Sequence, residues 1–556
     1  MVTKSTDYLL ISFYWAVIIA LSLSGLCQFE TNDDVAMRLI AEGSLFDSGT
    51  ENLVFSGYLY GLFLKGLYAL YPLDWYSLLS FGLLAVSWFI VLLCILTISK
   101  HTARFYLLSI FSALAAYSLV FINFTIVGGV VGMAGLVLMY MHGQQYWRGW
   151  AVPIAIVLFV LSANIRFTGL VLIIGIFAVW VVLLSNRSMH WIKIGLSMAG
   201  AAAFVLLFNM LYLKFQGTDW ENHLSHLYAK RWFLDAKGLE GKPIPPNWSS
   251  CDVKSLVSFF HESGGKFSES SLKKVQDYYG FWGLSPEQLE FSTILKTKIV
   301  VANLLSKLGK VFSRLLTPTY LPFYLVALCG YLSLGLSMAR PKRLGSLLFI
   351  TMVTLMIVAI TLKIKMEFRV LYLILGMVVL LSIFLWDSLQ RPHIRWAQMG
   401  TLLVLICTSY VLYSSLTYAN KVKALKDNQL ITLGKALTSV PDSIAIIGAE
   451  SDWTFIDAPL FVQPSTHQMY YRFYPLGWLM DMPNNERKSV RLGIKQQPLE
   501  PTYKAATNNK KVYILTNEYI AGLITCYLEE TYGLKVAVEK QIALSPTEGF
   551  YQIREL

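Results

Sequence analysis

Charged residues are scarce in this chain, and their scarcity excludes most soluble architectures. Of 556 residues only 14% are Asp, Glu, Lys or Arg, whereas 55% are hydrophobic. Average globular chains carry about 25% charged residues. So much apolar surface cannot be hidden in soluble cores, and the same composition excludes a disordered or fibrous chain. The class that remains is a polytopic membrane protein.

Cysteine is also sparse and shows no pattern. The six cysteines form no CxxC pair and no framework spacing. Cys94, Cys329 and Cys407 lie in apolar runs, where cysteine behaves as a small hydrophobic residue. A disulfide between two of the others stays open, without support from the sequence.

Nucleotide-binding and hydrolase motifs are absent. The sequence contains no Walker A motif, no GxGxxG after a strand, no HExxH and no GxSxG. Without a loop that cradles phosphates, an ATP-driven pump and a cytoplasmic nucleotide-sugar transferase are both disfavoured.

Long apolar runs, in contrast, are abundant. A membrane span needs about 20 mostly apolar residues. The sequence predicts eleven spans, near 8–26, 76–98, 105–122, 124–141, 150–165, 168–185, 193–213, 317–338, 344–362, 370–386 and 397–417. The first is predicted to be an uncleaved anchor, because it is long and lacks a small-x-small cleavage site.

The run 53–71 is left out of this count. It is rich in glycine and tyrosine and contains Lys65, which is typical of an interfacial helix. With this run on the surface, the basic loop residues collect on one face together with Lys4, and the positive-inside rule makes that face cytoplasmic. The net charge of +12 then reflects orientation rather than a nucleic-acid partner.

This layout leaves three substantial segments outside. They are the loop 27–75, the loop 214–316 and the tail 418–556. The tail contains charges of both signs and short β-rich runs, with a helix near 518–531. We therefore predict a transmembrane domain over 1–417 and an extracytoplasmic α/β domain over 418–556.

The first outer loop holds the most acidic stretch of the membrane half, residues 29–49. A short amphipathic helix is predicted from about Asp33, with Asp34, Arg38 and Glu42 on one face at i, i+4 and i+8. Acids in a first turn can simply favour the helix dipole. Alternatively, one of the two carboxylates is a general base that takes the proton of an acceptor hydroxyl.

The order of these features resembles the GT-C glycosyltransferase superfamily. The residues that carry the resemblance are Asn32-Asp33-Asp34, the helix 33–45 and the segment 56–80. The last of these is similar to a segment of the lipid A aminoarabinose transferases and protein O-mannosyltransferases, although it lacks their Pro and Lys-Pro elements. The resemblance implies a polytopic α-helical membrane fold with about eleven transmembrane helices, juxtamembrane helices and an outer C-terminal domain.

The resemblance also implies an activity, a donor and a location. The expected enzyme is a glycosyltransferase of a bacterial inner membrane that uses a polyprenyl-phosphate-linked sugar. The expected acceptor is an extracytoplasmic glycan such as lipid-linked O-antigen. Asp33 or Asp34 is the expected base, with a slight preference for Asp34 because it shares a face with Arg38. No cofactor is certain, and a divalent cation stays open, since this acidic position serves the family as base or metal ligand.

The leaving phosphate of such a donor needs cations. Lys363, Lys365 and Arg369 lie at the outer end of span ten and are similar to an arginine-containing element of related enzymes, without its proline. A forked guanidinium suits a phosphate, and lysine adds a point charge. Arg166, in the short linker between spans five and six, and Lys65 are further candidates. Anchoring to membrane lipid headgroups is the alternative for all five.

Candidate contacts to the acceptor or sugar are polar residues of the outer segments. They are Arg38, Glu42, Glu367, Asp219, His223 and His226. The spacing of the two histidines can also bind a metal, although a polar helix face is the commoner meaning of such a pair.

Three other functions stay open at this point. An O-antigen polymerase or ligase shares the many spans and the large outer loop. A transporter or flippase would carry midplane charges on broken helices, whereas the ionisable residues here cluster at span ends. A non-catalytic assembly protein is the third.

Overall fold

The computed structural model describes residues 5–46, 48–98, 101–184, 189–235, 244–258, 265–279, 340–363, 368–387, 394–440, 445–448, 473–475 and 512–556, with four isolated positions. In these ranges the chain is mainly helical. The helices are α1 (Ser5–Ser24), α2 (Asn32–Glu42), α3 (Tyr58–Leu70), α4 (Trp75–Ile98), α5 (His101–Val120), α6 (Phe124–Gly143), α7 (Ala151–Leu184), α8 (Met189–Gln216), α9 (Thr218–Asp235), α10 (Ser250–Val257), α11 (Glu269–Tyr279), α12 (Arg340–Lys363), α13 (Phe368–Asp387), α14 (Ile394–Thr438) and α15 (Glu518–Tyr532).

Five of the described helices are long and apolar enough to cross a membrane. They are α1, α4, α6, α7 and α8, and shorter apolar stretches lie in α5, α12 and α13. The total of eleven spans stays a prediction, because the predicted span 317–338 lies outside the described residues.

Arg166 divides α7 into two antiparallel halves. Its backbone is extended (φ −153°, ψ 93°) inside an otherwise helical segment. Gly132 of α6 faces both Ser162 from the first half and Ile173 from the second, whereas Gly128 faces Arg166 itself. Both halves therefore leave Arg166 in the same direction along α6, as the two predicted spans 150–165 and 168–185 require.

Two short strands bring the ends of α1 and α5 together. β1 (Gln28–Phe29) follows α1, β2 (Phe121–Ile122) follows α5, and the two pair in parallel. At the opposite end of the bundle Arg104 forms an ion pair with Asp7. The ends of α1 and α5, which are predicted to lie on the same face of the membrane, therefore lie at the same end of the bundle. Which end faces outwards stays a prediction.

Helix α3 lies within the run 53–71 and is too short to span. Its 13 residues extend over about 20 Å, against about 30 Å of hydrocarbon in a bilayer. The interfacial position predicted for this run agrees with that length.

The tail and the large outer loop pack against each other. A five-stranded sheet has the order β4-β3-β5-β7-β6, formed by β3 (Ala445–Gly448), β4 (Phe473–Pro475), β5 (Val512–Asn517), β6 (Val536–Ala543) and β7 (Glu548–Glu555). Helices α9 to α11 of the loop share a hydrophobic cluster with α15 and this sheet. Cys251 and Cys526 form a disulfide across the contact. Disulfides persist in oxidising compartments. We call the loop 214–316 and the tail together the outer unit, and their outer location stays a prediction.

Helix α14 passes the predicted domain boundary without a break. It continues from Ile394 to Thr438, so position 418 falls inside a helix. Beyond the apolar part, Lys423 donates to the carbonyl of Ser24 and Lys426 to the carbonyl of Phe29. The extension of α14 therefore lies over the strand that leads into α2.

Candidate functional site

Asp34 is a buried anchor for the first turn of α2. Its side chain is 1% exposed and accepts three hydrogen bonds. The donors are the Thr31 hydroxyl (2.8 Å), the backbone N–H of Phe124 (2.9 Å) and the Tyr76 hydroxyl (3.1 Å). Burial raises the pKa of Asp34 to about 8, although the three hydrogen bonds oppose this rise. Asp34 thus ties α2 to the starts of α4 and α6.

Asp33 is the accessible carboxylate of the pair. Its side chain is 24% exposed, and its Oδ2 atom lies 3.8 Å from Nη1 of Arg369, itself 21% exposed. Arg369 lies in the first turn of α13, so the predicted acidic pair and the predicted phosphate ligand come together at one end of the bundle.

The buried pairing of Arg38 removes the argument for preferring Asp34 as the base. Arg38, which was to share a functional face with Asp34, forms a fully buried ion pair with Asp74 (2.8 Å). Arg38 therefore holds α2 to the turn before α4 and cannot contact an acceptor. Glu42, at the far end of α2, accepts a hydrogen bond from Ser44. The face predicted for acceptor contacts is a packing face.

Phe124 forms an aromatic floor under two arginines. The guanidinium carbon of Arg166 lies 4.9 Å from the centroid of this ring, and that of Arg369 lies 5.7 Å from it. Phe55 stacks on Phe124 at 5.8 Å, and its carbonyl accepts a hydrogen bond from Arg166 (3.4 Å). Two like charges over one ring favour an anion between them. The sequence did not mark Phe124 as a site residue, because it is only the first residue of an apolar run.

The position of Arg166 depends on glycine. The residue lies at the apex between the two halves of α7, and its side chain passes Gly128 of α6 and Gly169 of its own helix. A Cβ atom at Gly128 would lie 3.0 Å from the Cβ of Arg166. Small residues at this level therefore let the guanidinium reach Phe124.

A third carboxylate, missed in the sequence, lies beside the same site. Glu30 sits between β1 and α2, where its N–H donates to the carbonyl of Ile122 (2.9 Å). Its carboxylate accepts a hydrogen bond from the Tyr117 hydroxyl (3.3 Å). Tyr117 contacts Phe368, the neighbour of Arg369, edge to face at 5.1 Å. An acidic residue between a strand and a helix is typical of any polar loop, so the sequence did not predict that Glu30 would lie beside this site.

Of the other predicted site residues at this end, Lys65 is paired elsewhere, and two lie outside the described residues. Lys65 donates to the carboxylate of Glu51 (2.7 Å) rather than facing Asp33 or Arg369. Lys363 is the last residue of α12. Lys365 and Glu367 lie outside the described residues.

The histidine pair does not form a ligand set with Asp219. Asp219 is exposed at the start of α9, whereas His223 and His226 are buried, with His223 edge-on against Trp220 (5.6 Å). Within the described residues, the candidate group of three metal ligands is Cys251, Cys526 and Glu530. Both of these cysteines are committed to the disulfide.

Comparisons with known proteins give one structural likeness to report. No family model matches the chain, and no curated protein matches it. The crystal structure of ArnT from Cupriavidus metallidurans bound to undecaprenyl phosphate is similar to this chain, with a TM-score of 0.36 and 10% sequence identity. The match covers 99% of this chain and 98% of that one.

Proposed function

We propose that this protein is an integral-membrane glycosyltransferase of the GT-C type. It moves a sugar from a polyprenyl-phosphate carrier to a hydroxyl of an extracytoplasmic glycan, such as a lipid-linked O-antigen. The observation that carries the proposal is the approach of Asp33 to Arg369, together with the contact that both Arg369 and Arg166 make with the Phe124 ring. Such a transfer needs a base for the acceptor and cations for the leaving phosphate, and these are the groups present.

The reaction is a single displacement at the anomeric carbon. Asp33 takes the proton of the acceptor hydroxyl as its oxygen attacks that carbon. The bond between the anomeric carbon and the phosphate oxygen breaks, and its electron pair leaves with the polyprenyl phosphate. Arg369 and Arg166 stabilise the negative charge that develops on this leaving group. Attack from the face opposite the phosphate inverts the configuration of the sugar.

Asp34 is a positioning residue in this scheme. With a pKa of about 8 its carboxyl group is largely protonated at pH 7, so it is a poor acceptor for a further proton. Its three hydrogen-bond donors are Thr31, Tyr76 and Phe124, and these bonds hold the first turn of α2 against Phe124. Asp33, one residue earlier and partly exposed, then approaches Arg369.

The placement of the charged residues favours a reaction at the membrane surface over transport through the membrane. Asp33, Arg166 and Arg369 gather at one end of the helical bundle, where the ends of α1 and α5 also meet. A transporter would require comparable groups near the midplane, on broken helices. The same end carries α3, a helix short enough to lie along the membrane interface.

The test measures transfer from a labelled polyprenyl-phosphate sugar to endogenous glycan in membranes. We expect Asp33→Asn to lose about 100-fold or more in rate, since general base catalysis contributes about 10²–10⁴-fold. Arg369→Gln should raise the donor KM. The matched controls are Asp277→Asn and Arg554→Gln, two exposed positions of the outer unit.

Full activity of Asp33→Asn would overturn the assignment of the base. Repeating the assay with a chelator shows whether Asp33 acts as a base or as a metal ligand. Loss of transfer on chelation would make Asp33 a metal ligand rather than a base, with Glu30, three residues earlier in the chain, as a further candidate ligand.

A further inference from the structure

A second polar group of residues lies at the same end of the bundle, around Glu51. Its Oε1 atom accepts hydrogen bonds from the Tyr212 hydroxyl (2.9 Å) and from Nε2 of Gln216 (3.1 Å), and its Oε2 atom accepts one from Lys65 (2.7 Å). Burial alone would raise the pKa of Glu51, but the bonds from Lys65 and Tyr212 bring it below the usual value. This carboxylate is ionised and already paired with a cation.

Two buried amides have unused oxygen atoms: Asn52, which follows Glu51 in the chain, and Asn164, which lies beside Gly57 of the same loop. Asn52 is 3% exposed and Asn164 is 2% exposed. Neither Oδ1 atom has a hydrogen-bond donor among the described residues. The Nδ2 group of Asn52 faces Gln216 (3.5 Å), while Asn164 meets Asn209 at Gly57. An unsatisfied buried acceptor costs about 1–3 kcal/mol, so such atoms call for a hydroxyl or water donor.

Aromatic rings flank the carboxylate. The rings of Tyr58 and Tyr212 lie 4.9 Å apart, tilted by 41°, and Tyr212 stacks on Phe208 at 5.9 Å. Both tyrosines are half-buried, so each keeps an accessible part. Aromatic faces beside a few fixed polar groups are the usual lining of a small-molecule site.

The segment that carries Glu51 is strained and leads directly to the proposed transfer site. Val54 has φ 65°, a backbone conformation that β-branched residues rarely adopt. The carbonyl of Phe55 accepts a bond from Arg166, and the N–H of Gly57 donates to the carbonyl of Asn164 (2.5 Å). A ligand held at Glu51 would therefore be held at a defined position relative to Arg166.

We propose that Glu51, Asn52, Tyr212 and Gln216, with Tyr58 as an aromatic wall, form a subsite that binds the hydroxyls of a neutral sugar unit of the acceptor. Naming the acceptor rests on the proposed function; the carbohydrate chemistry of the subsite does not. Glu51 and the free Oδ1 of Asn52 accept from sugar hydroxyls, and the amide of Gln216 donates to them.

Two simpler explanations account for less of the geometry. An ion pair with Lys65 that merely fastens α3 would need neither Asn52 nor the tyrosines, and a pair with a half-exposed lysine contributes little. A phosphate or lipid headgroup is disfavoured, because the carboxylate of Glu51 neutralises the charge of Lys65, with which it is paired. A neutral, hydroxyl-rich ligand therefore suits this group of residues, whose charges cancel.

The binding experiment uses saturation-transfer NMR on the full-length protein in a sugar-free detergent. The probes are methyl glucoside, methyl mannoside and methyl N-acetylglucosaminide. We expect a signal from at least one of them with the wild type. Glu51→Gln and Asn52→Ala should each weaken it about tenfold, as expected for the loss of a buried hydrogen-bonding acceptor.

Two variants guard against misfolding and indirect effects. Tyr212→Phe removes one hydroxyl and keeps the ring, so it should weaken the sugar signal at an unchanged thermal unfolding midpoint. Tyr519→Phe, at an exposed position of α15, is its matched control. The subsite is refuted if no probe gives a signal with the wild type, or if Glu51→Gln, Asn52→Ala and Tyr212→Phe all leave the signal unchanged.

A parallel titration with citronellyl phosphate, a short polyprenyl monophosphate, separates this inference from the proposed function. Binding of that lipid should depend on Arg369 and not on Glu51. Lipid binding that depends on Arg369 without any sugar signal would overturn the subsite alone. A sugar signal that depends on Glu51 without lipid binding would support the subsite and contradict the proposed donor.

Discussion

The backbone N–H of Phe124 donates a hydrogen bond to Oδ1 of Asp34 at 2.9 Å. This bond joins the acidic first turn of α2 to the first residue of α6, whose ring lies under Arg166 and Arg369. The buried carboxyl group and the aromatic floor are therefore parts of one arrangement. Asp33 reaches Arg369 because its neighbour is fastened in this way.

The first prediction concerns the pH dependence of stability. Burial raises the pKa of Asp34 from 3.8 to about 8, so the folded state binds its proton more tightly than the unfolded state does. The resulting stabilisation is fully present below pH 4 and is lost as the pH rises through 8. Between these values the thermal unfolding midpoint of the wild type should fall faster than that of Asp34→Asn. Parallel curves for the two proteins would show that Asp34 does not titrate in this range.

A second prediction tests the aromatic floor. Phe124→Leu keeps an apolar side chain but removes the ring under both arginines, and such cation–π contacts contribute about 0.5–2 kcal/mol. We expect the donor KM to rise several-fold, with kcat changed less. Phe384→Leu is the matched control, because it removes a buried ring that stacks on Tyr140 away from the arginines. Equal effects of the two variants would assign Phe124 to packing alone.

The third prediction concerns the outer unit. The disulfide between Cys251 and Cys526 closes a loop of 275 residues, so it should stabilise the contact between the large loop and the tail by about 2–5 kcal/mol. In Cys251→Ser with Cys526→Ser, limited proteolysis should cut this unit faster than in the wild type. The control is Cys27→Ser with Cys94→Ser, two buried cysteines that are not part of the disulfide. A free thiol at Cys526, detected by alkylation under non-reducing conditions, would contradict the assignment.

The fourth prediction tests the packing role of Arg38. Arg38→Met leaves the carboxylate of Asp74 buried and uncompensated, which costs about 3–5 kcal/mol. The unfolding midpoint should fall markedly. Arg38→Met combined with Asp74→Leu should recover much of this loss, since no unpaired charge remains. If the single variant unfolds like the wild type but transfers no sugar, Arg38 would act at the site and the packing role would be wrong.

Much of the layout was predictable because it depends on local chemistry. Apolar run length placed the helices, and the alternation of spans placed Asp33, Arg166 and Arg369 at one end of the bundle, where the structure has them. The helix near 518–531 and the neighbouring strands were likewise readable from periodicity.

Roles within the acidic pair were not predictable. Asp33 and Asp34 are equivalent in composition and adjacent in the chain, and helical spacing pointed to Asp34 through Arg38. The donors that bury Asp34 come from Phe124 and Tyr76, which are far away in sequence. Lys65 was a phosphate candidate for its charge alone, and its partner Glu51 removes that role.

By itself the sequence determined the class of protein, its apolar helices and the residue types available at one end of the bundle, and it predicted an interfacial position for α3. These follow from hydrophobicity and charge along short stretches of chain. Only the tertiary structure decided which carboxylate is accessible, that Phe124 lies under two arginines, and that Cys251 meets Cys526. Burial and pairing depend on neighbours brought together from distant segments, and no local pattern encodes them.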